Sequence, residues 1–302
     1  MTPPSTGHTV DPSWVPDAPL SPPTSNGGLL DVFRRRYVLK LLVKRELSAR
    51  YQGSFLGMLW SYVQPTVRFL MYYLVLGVLV GFNQRVDYFG VHLFAGMVLV
   101  HYFTETFTAG TRSIVRNKAI VKKMAMPREM FPVASMLVSA YHTIPQVLVL
   151  TIACFVVGWE PDGIGFLAAL LGFLIVATWG TALALLFSAA NVFARDFSNI
   201  VQTLTAFVHF SVPMIYPFTL VPERFGEDLV GVYLANPLAE AVLLMQRGFW
   251  VGVTDDPQMT MADHLPEHLW TRGLVHLGIA LVVLVVAQLV FTRLENKFPE
   301  RL

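Results

Sequence analysis

Few residues in this chain have the type and spacing to do chemistry, and the first candidates fail on inspection. Residues 264–268, His-Leu-Pro-Glu-His, have the H-x-x-E-H spacing with which some peptidases hold zinc. That chemistry needs both histidines on one face of an unbroken helix. Pro266, between His264 and His268, breaks a helix there, so no metal site is expected. The single cysteine, Cys154, allows neither an intrachain disulfide nor a cysteine-built metal centre. No lysine is followed by serine or threonine, so the phosphate-cradling P-loop pattern is absent and no cofactor is expected. What remains is isolated charge in apolar surroundings: Arg68 and Glu105, with His92, His101, His142 and His209. An ionisable group in such a place is a functional candidate by default. Arg68 and Glu105 could pair across neighbouring segments, or one of them could face a substrate.

A denser cluster of cations lies at 117–132, "NKAIVKKMAMPREMFP". A signal for orientation in a membrane needs only charge. Here Ile120, Val121, Met124, Met126 and Met130 alternate with Lys118, Lys122, Lys123 and Arg128. That makes a short amphipathic segment suited to lying in another protein's groove. Pro127 and Pro132 then interrupt it and set the start of the next helix.

The elements that must carry these residues are helices in a bilayer. The chain has 302 residues, of which 54% are hydrophobic and 14% charged. Soluble domains carry about a quarter charged residues. The net charge of +2 gives no argument for nucleic acid. Six apolar runs approach or exceed the roughly 20 residues a span needs: 57–81, 91–111, 132–158, 163–190, 198–221 and 273–292. The segment 231–253 carries Asn236, Pro237, Glu240 and Arg247 and reads as a re-entrant or interfacial helix pair. The fold class expected is thus all-α integral membrane. It has a Pro-rich disordered tail (1–28), an amphipathic interfacial helix (29–56) and a six-span domain (57–302). Seventeen lysines and arginines fall in the segments on one side of these spans and four on the other. By the positive-inside rule both termini are cytoplasmic.

In 29–50, Leu30, Phe33, Tyr37 and Leu41 recur at helical spacing while Arg34, Arg35 and Arg45 lie off that line, the pattern of a helix on the membrane surface. Aromatics crowd three of the runs: Trp60, Tyr62, Phe69, Tyr72 and Tyr73; Phe103 and Phe107; Phe207, Phe210 and Tyr216. Amphipathic rings let the apolar faces of sugars slide without trapping them, so as a set these residues are candidates to line a conduit.

Five segments, "ARYQGSFLGMLWSYVQP" (49–65), "NKAIVKKMAMPREMFP" (117–132), "VFARDFSNIVQ" (192–202), "SVPMIYPFTLVP" (211–222) and "ANPLAEAVLLMQRGFW" (235–250), occur in that order. Together they resemble the permease subunit of bacterial ABC exporters for lipid-linked polysaccharides: O-antigen, teichoic acid and galactan exporters of the Wzm type. The likeness runs over about 30–300; the Pro-rich tail is outside it, and Ala-Met-Pro stands where such permeases often have an aromatic before the proline. The resemblance implies a homodimer in the bacterial plasma membrane, two copies of a separate ATPase, and a lipid-linked polysaccharide as substrate. It makes the stretch with Asn117, Ile120, Lys122, Lys123, Met126, Pro127, Arg128 and Glu129 the main ATPase-coupling element, with Arg195 and Asp196 as a second contact. It makes the interfacial helix a gate whose Arg34, Arg35, Arg36, Arg45 and Arg50 meet the substrate's pyrophosphate. The chain itself is then a transport subunit and not an enzyme. The alternatives are an ABC permease for a drug or small lipid and, beyond that class, an ion-coupled secondary transporter. The second would need more carboxylates at depth than Glu105.

Overall fold

The computed structural model describes residues 28–302 apart from Ala125. The expected tail therefore lies outside the described residues, save for Gly28, which opens the first helix. No strand occurs among the described residues. Helices α1 (Gly28–Arg34) and α2 (Arg36–Tyr51) form one amphipathic run broken at Arg35. Leu30, Phe33, Tyr37 and Leu41 all point outward, whereas Val32, Leu39 and Leu42 are buried. α3 (Trp60–Tyr72) continues into a wider π-helical segment, Tyr73–Leu79, which ends before Gly81 at φ 86°, a conformation cheap only for glycine. α4 (Phe89–Arg116) and α5 (Lys118–Lys123) are separated by Asn117 alone. α6 (Met130–Val156) takes Pro132 in its first turn, where a missing N–H breaks no helical bond. α7 (Gly163–Phe193) starts on Asp162, whose carboxylate accepts from the N–H groups of Ile164 and Gly165. α8 (Phe197–Val208), α9 (Leu220–Phe225), α10 (Glu227–Leu234), α11 (Pro237–Phe249), α12 (Pro257–His264), α13 (Leu269–Glu295) and α14 (Phe298–Arg301) follow.

Trp60–Leu79, α6, α7 and α13 are long and apolar enough to cross a membrane. α10 with Pro237–Val253, bent by 92°, makes a fifth if the pair is one span. α4 has the length, at 28 residues, but its histidines, Glu105, Arg112 and Arg116 dilute its apolarity and it stays outside that set. The run 198–221 differs from expectation: α8 stops after 12 residues, and 209–219 is irregular around Pro213 and Pro217, which have no N–H to continue it. The H-x-x-E-H motif is split as its proline requires, with His264 closing α12 and His268, at φ 59°, preceding α13.

α7 is the packing centre, laid against α4, α11 and α13, while α4 also packs on α6. Small residues let these backbones meet. A Cβ on Gly110 would stand 2.5 Å from that of Ala184, and one on Gly248 2.6 Å from that of Ala169. Close approach of this kind holds helices together where lipid removes the hydrophobic drive between them. Apolar residues cover the outer faces instead, among them Ile144, Leu148 and Phe155 on α6 and Leu281, Val282 and Leu289 on α13. An exposed apolar surface this continuous belongs in lipid, and the chain is a multi-pass membrane protein.

Candidate functional site

The Lys/Arg-rich segments meet at one end of the bundle, the basic end. There a cavity of about 790 Å³ is bounded by α2, α3, α4, α6 and α8. Arg45 and Arg50 come from α2, Arg68 from α3, and Arg112 and Arg116 from α4; against these five stand two carboxylates, Glu46 and Glu105. Arg116 pairs with Glu46, and Arg50 with Glu105. Arg112 donates to Oε1 of Gln202 at 3.3 Å. Arg68 has no carboxylate partner among the described residues. Of the two readings of Arg68 and Glu105, the direct pair does not form: Glu105 is taken by Arg50 at the end of α2, and Arg68 lines the same cavity. Guanidinium groups in such excess suit an anion with several oxygens, above all a phosphate.

The end of α2 is held at one polar knot. Nδ1 of His142 on α6 lies 2.9 Å from Oε1 of Glu105, and its Nε2 lies 2.7 Å from the Tyr51 hydroxyl. That hydroxyl is in turn 2.5 Å from Oγ of Ser61 on α3. For a neutral imidazole donor logic orders the chain: Nδ1–H donates to the carboxylate, so Nε2 accepts from Tyr51 and Ser61 donates to Tyr51. Arg50 also lies 3.2 Å from Nδ1, but its N–H groups serve Glu105. Oε1 of Glu105 thus takes both partners, while its buried Oε2 has none. Of the five arginines expected at a gate, Arg45 and Arg50 line the cavity. Arg34, Arg35 and Arg36 lie exposed at the far end of the run, Arg35 paired with Asp31 at 3.2 Å.

Beside the cavity, the segment expected to couple to an ATPase divides into a surface and a seat. Lys118, Lys122, Lys123 and Met124 are exposed and Ile120 partly so. Asn117, Val121, Met126, Pro127, Arg128 and Glu129 are buried within the chain. Asn117 binds α2 from both of its side-chain atoms, accepting from Arg45 at 3.1 Å and donating to Glu46 at 3.0 Å. A second donation, at 3.0 Å, goes to the Ser113 carbonyl. At the other end Arg128 donates to the Glu295 carbonyl of α13 and lies 5.7 Å over the Phe298 ring. Burial pulls the Arg128 guanidinium below its ordinary pKa, against the opposing pull of Glu295 and Glu129. Glu129 accepts from Gln288 of α13 at 2.7 Å. Arg195 and Asp196, between α7 and α8, are exposed.

The expected conduit aromatics separate by exposure. Phe103 and Phe107 are only 3% and 4% exposed and pack inside the α4–α7 contact, Phe107 edge-on to Phe187 at 5.0 Å. Trp60, Phe207 and Phe210 face outward, with Tyr62, Phe69, Tyr72, Tyr73 and Tyr216 intermediate. Tyr216 is tied down, donating to the Phe210 carbonyl at 3.0 Å. Sequence reasoning missed Tyr51, Ser61, Arg112, Asn117's link to α2, and Gln202. The one signal available was that a carboxylate in an apolar run must find a cation, and the choice of cation is set by the tertiary fold.

Residues 37–249 match the family described as ABC-2 type transporter. Among curated proteins the chain is similar to an O-antigen export system permease protein RfbA of Myxococcus xanthus, 28% identical over 77% of this chain and 87% of that protein. Two Klebsiella pneumoniae proteins of the same name are 25% and 24% identical, each over 87% of this chain and 94% of their own length. The matched stretch begins inside α2 and ends with α11, so it takes in the whole cavity, the knot at Glu105 and the segment after Asn117. The chain belongs to the ABC-2 type transporter family.

Proposed function

We propose that the protein is the permease of an ATP-driven exporter that moves a lipid-linked polysaccharide, of the O-antigen, teichoic acid or galactan type, across the bacterial plasma membrane. The observation that carries this is the arginine-rich cavity beneath α2, in a chain of the ABC-2 family whose relatives are named O-antigen export permeases. A lipid-linked glycan joined through a diphosphate brings two phosphates to the membrane surface. That Arg50, Arg68 and Arg112 line the cavity from three different helices supports a role in receiving such a group. Two copies of the chain act with two copies of a separate ATPase. Both termini are cytoplasmic and the basic end faces the ATPase. α4, and α8 together with the irregular run 209–219, complete a six-span bundle with the four apolar spans, and the bent α10–α11 pair lies re-entrant at the outer face. α1 and α2 lie on the inner leaflet as the gate. Lys118, Lys122, Lys123 and Met124 form the docking surface, with Arg195 and Asp196 beside it. Exposed Trp60, Phe207 and Phe210 line the conduit where the two copies meet.

The test is reconstitution of the chain with its ATPase in liposomes, with a prenyl-diphosphate-linked glycan added on the ATPase side. Transfer to the opposite face should require ATP and fall at least tenfold when Arg68 and Arg112 are both changed to Gln. Transfer driven by an ion gradient without ATP, or full transport by the double variant, defeats the reading.

A further inference from the structure

We infer that Glu105 is a built-in stand-in for the substrate's phosphate: it occupies Arg50, holds the end of α2 shut, and is displaced when a diphosphate enters the cavity. This rests on the function just proposed. Three features point to it. Among the described residues that line the cavity there are two carboxylates, and the other, Glu46, is tied by both its oxygens to Arg116 and Asn117 near the end of α4. Glu105 binds through one oxygen while the other, buried, has no partner, so the contact is under-satisfied and open to exchange. Its guanidinium partner, at 46% side-chain exposure against 8% for Glu105, is the member of the pair open to solvent and to an incoming anion. An incoming diphosphate offers Arg50 more oxygens and more charge than one carboxylate oxygen does. Once Arg50 turns away, the end of α2 keeps only the Tyr51–His142 and Tyr51–Ser61 bonds as side-chain ties at this knot. Substrate arrival is thereby converted into release of the gate, without any covalent step.

The experiment uses the full chain in lipid nanodiscs and farnesyl diphosphate as a short lipid diphosphate. Without ligand, amide exchange over residues 47–51 should quicken at least tenfold in Glu105→Gln relative to the parent, because a neutral amide holds Arg50 less firmly. Tyr51→Phe, which cuts the uncharged ties only, should quicken the same amides without changing affinity. Glu105→Gln should bind farnesyl diphosphate about tenfold more tightly than the parent, because Arg50 no longer has to leave a carboxylate before it meets the diphosphate. The gain should vanish in Glu105→Gln/Arg50→Gln, since no guanidinium is then left to free. A gain that survives in the double variant marks a general charge effect and overturns the inference. So does parent-like exchange in Glu105→Gln. If exchange quickens as expected but farnesyl diphosphate binds no variant, the lipid-diphosphate reading of the cavity is what fails, and Glu105 is reduced to a structural tie.

Discussion

Replacing Asn117 by alanine should disconnect the proposed docking segment from the gate while leaving both in place. Asn117 is the single residue between α4 and α5, and its side chain makes three bonds: from Arg45, to Glu46 and to the Ser113 carbonyl. Bonds to charged groups contribute about 1.5–3 kcal/mol each and neutral ones about 1 kcal/mol. Arg45 is exposed and regains water when released, and Glu46 keeps Arg116, so the net loss is nearer to ~2 kcal/mol. At 1.4 kcal/mol per factor of ten, the open population of the joint should rise about 30-fold. The reporters are built in: the amides of Ile120 and Val121 both donate to the Asn117 carbonyl, at 2.9 and 3.1 Å, and that of Met124 donates to Ile120. Their hydrogen exchange in the ATPase complex should quicken by about that factor, while exchange in α7 stays unchanged. ATP hydrolysis should continue, because Lys122 and Lys123 are untouched, but glycan transferred per ATP should fall. Exchange that quickens while transfer per ATP holds at the parental ratio would refute the idea that force passes through this residue.

Charge reversal at Lys122 and Lys123 should abolish ATPase stimulation in the complex while membrane insertion, followed by protease protection, is unchanged. Phe103→Ala should cost about 3–5 kcal/mol as a buried large-to-small change and lower the midpoint of thermal unfolding, whereas Phe207→Ala and Phe210→Ala should leave that midpoint alone and slow transport. Gly110→Val should destabilise by about 1–3 kcal/mol through its clash with Ala184, and Ala184→Gly should recover part of the loss. Asp162→Ala should cost about 1 kcal/mol as a lost helix cap. The hydrogen bond from Arg247 and the Ile164 amide hold the Asp162 carboxyl below its ordinary range. Its stabilisation is therefore full above the unfolded carboxylate's pKa and lost as pH falls through the folded one, so the gap between parent and variant should narrow in acid.

The long spans were legible because length and apolarity suffice to specify them: α6, α7 and α13 fall within a few residues of the runs read from composition. The outward line of Leu30, Phe33, Tyr37 and Leu41 along α1 and α2 was legible from its 3.6-residue period. The end of α8 was not, because a run of apolar residues carries the same hydropathy whether or not Pro213 and Pro217 let it stay helical. Phe103 and Phe207 look alike in sequence, and only the approach of α7 decides that one is core and the other surface. Glu105 was visible as an isolated charge, but the sequence offered Arg68 as its possible partner, whereas the fold gives it Arg50 and His142. Which one it takes depends on where the loop after Tyr51 turns α2 back over α4 and α6.

Between Trp60 and Leu79 the chain lends a helix little support of its own: the fully buried positions there are Pro65 and Gly77, and only Phe69, Tyr72, Tyr73 and Leu76 lean on the core. Such a segment takes its tilt from whatever surrounds it. In a thinner or stiffer bilayer it would reorient long before α7 did, carrying Arg68 and Ser61 with it. Bilayer thickness should therefore bear on the shape of the arginine-lined chamber, because Arg68 rides on this segment.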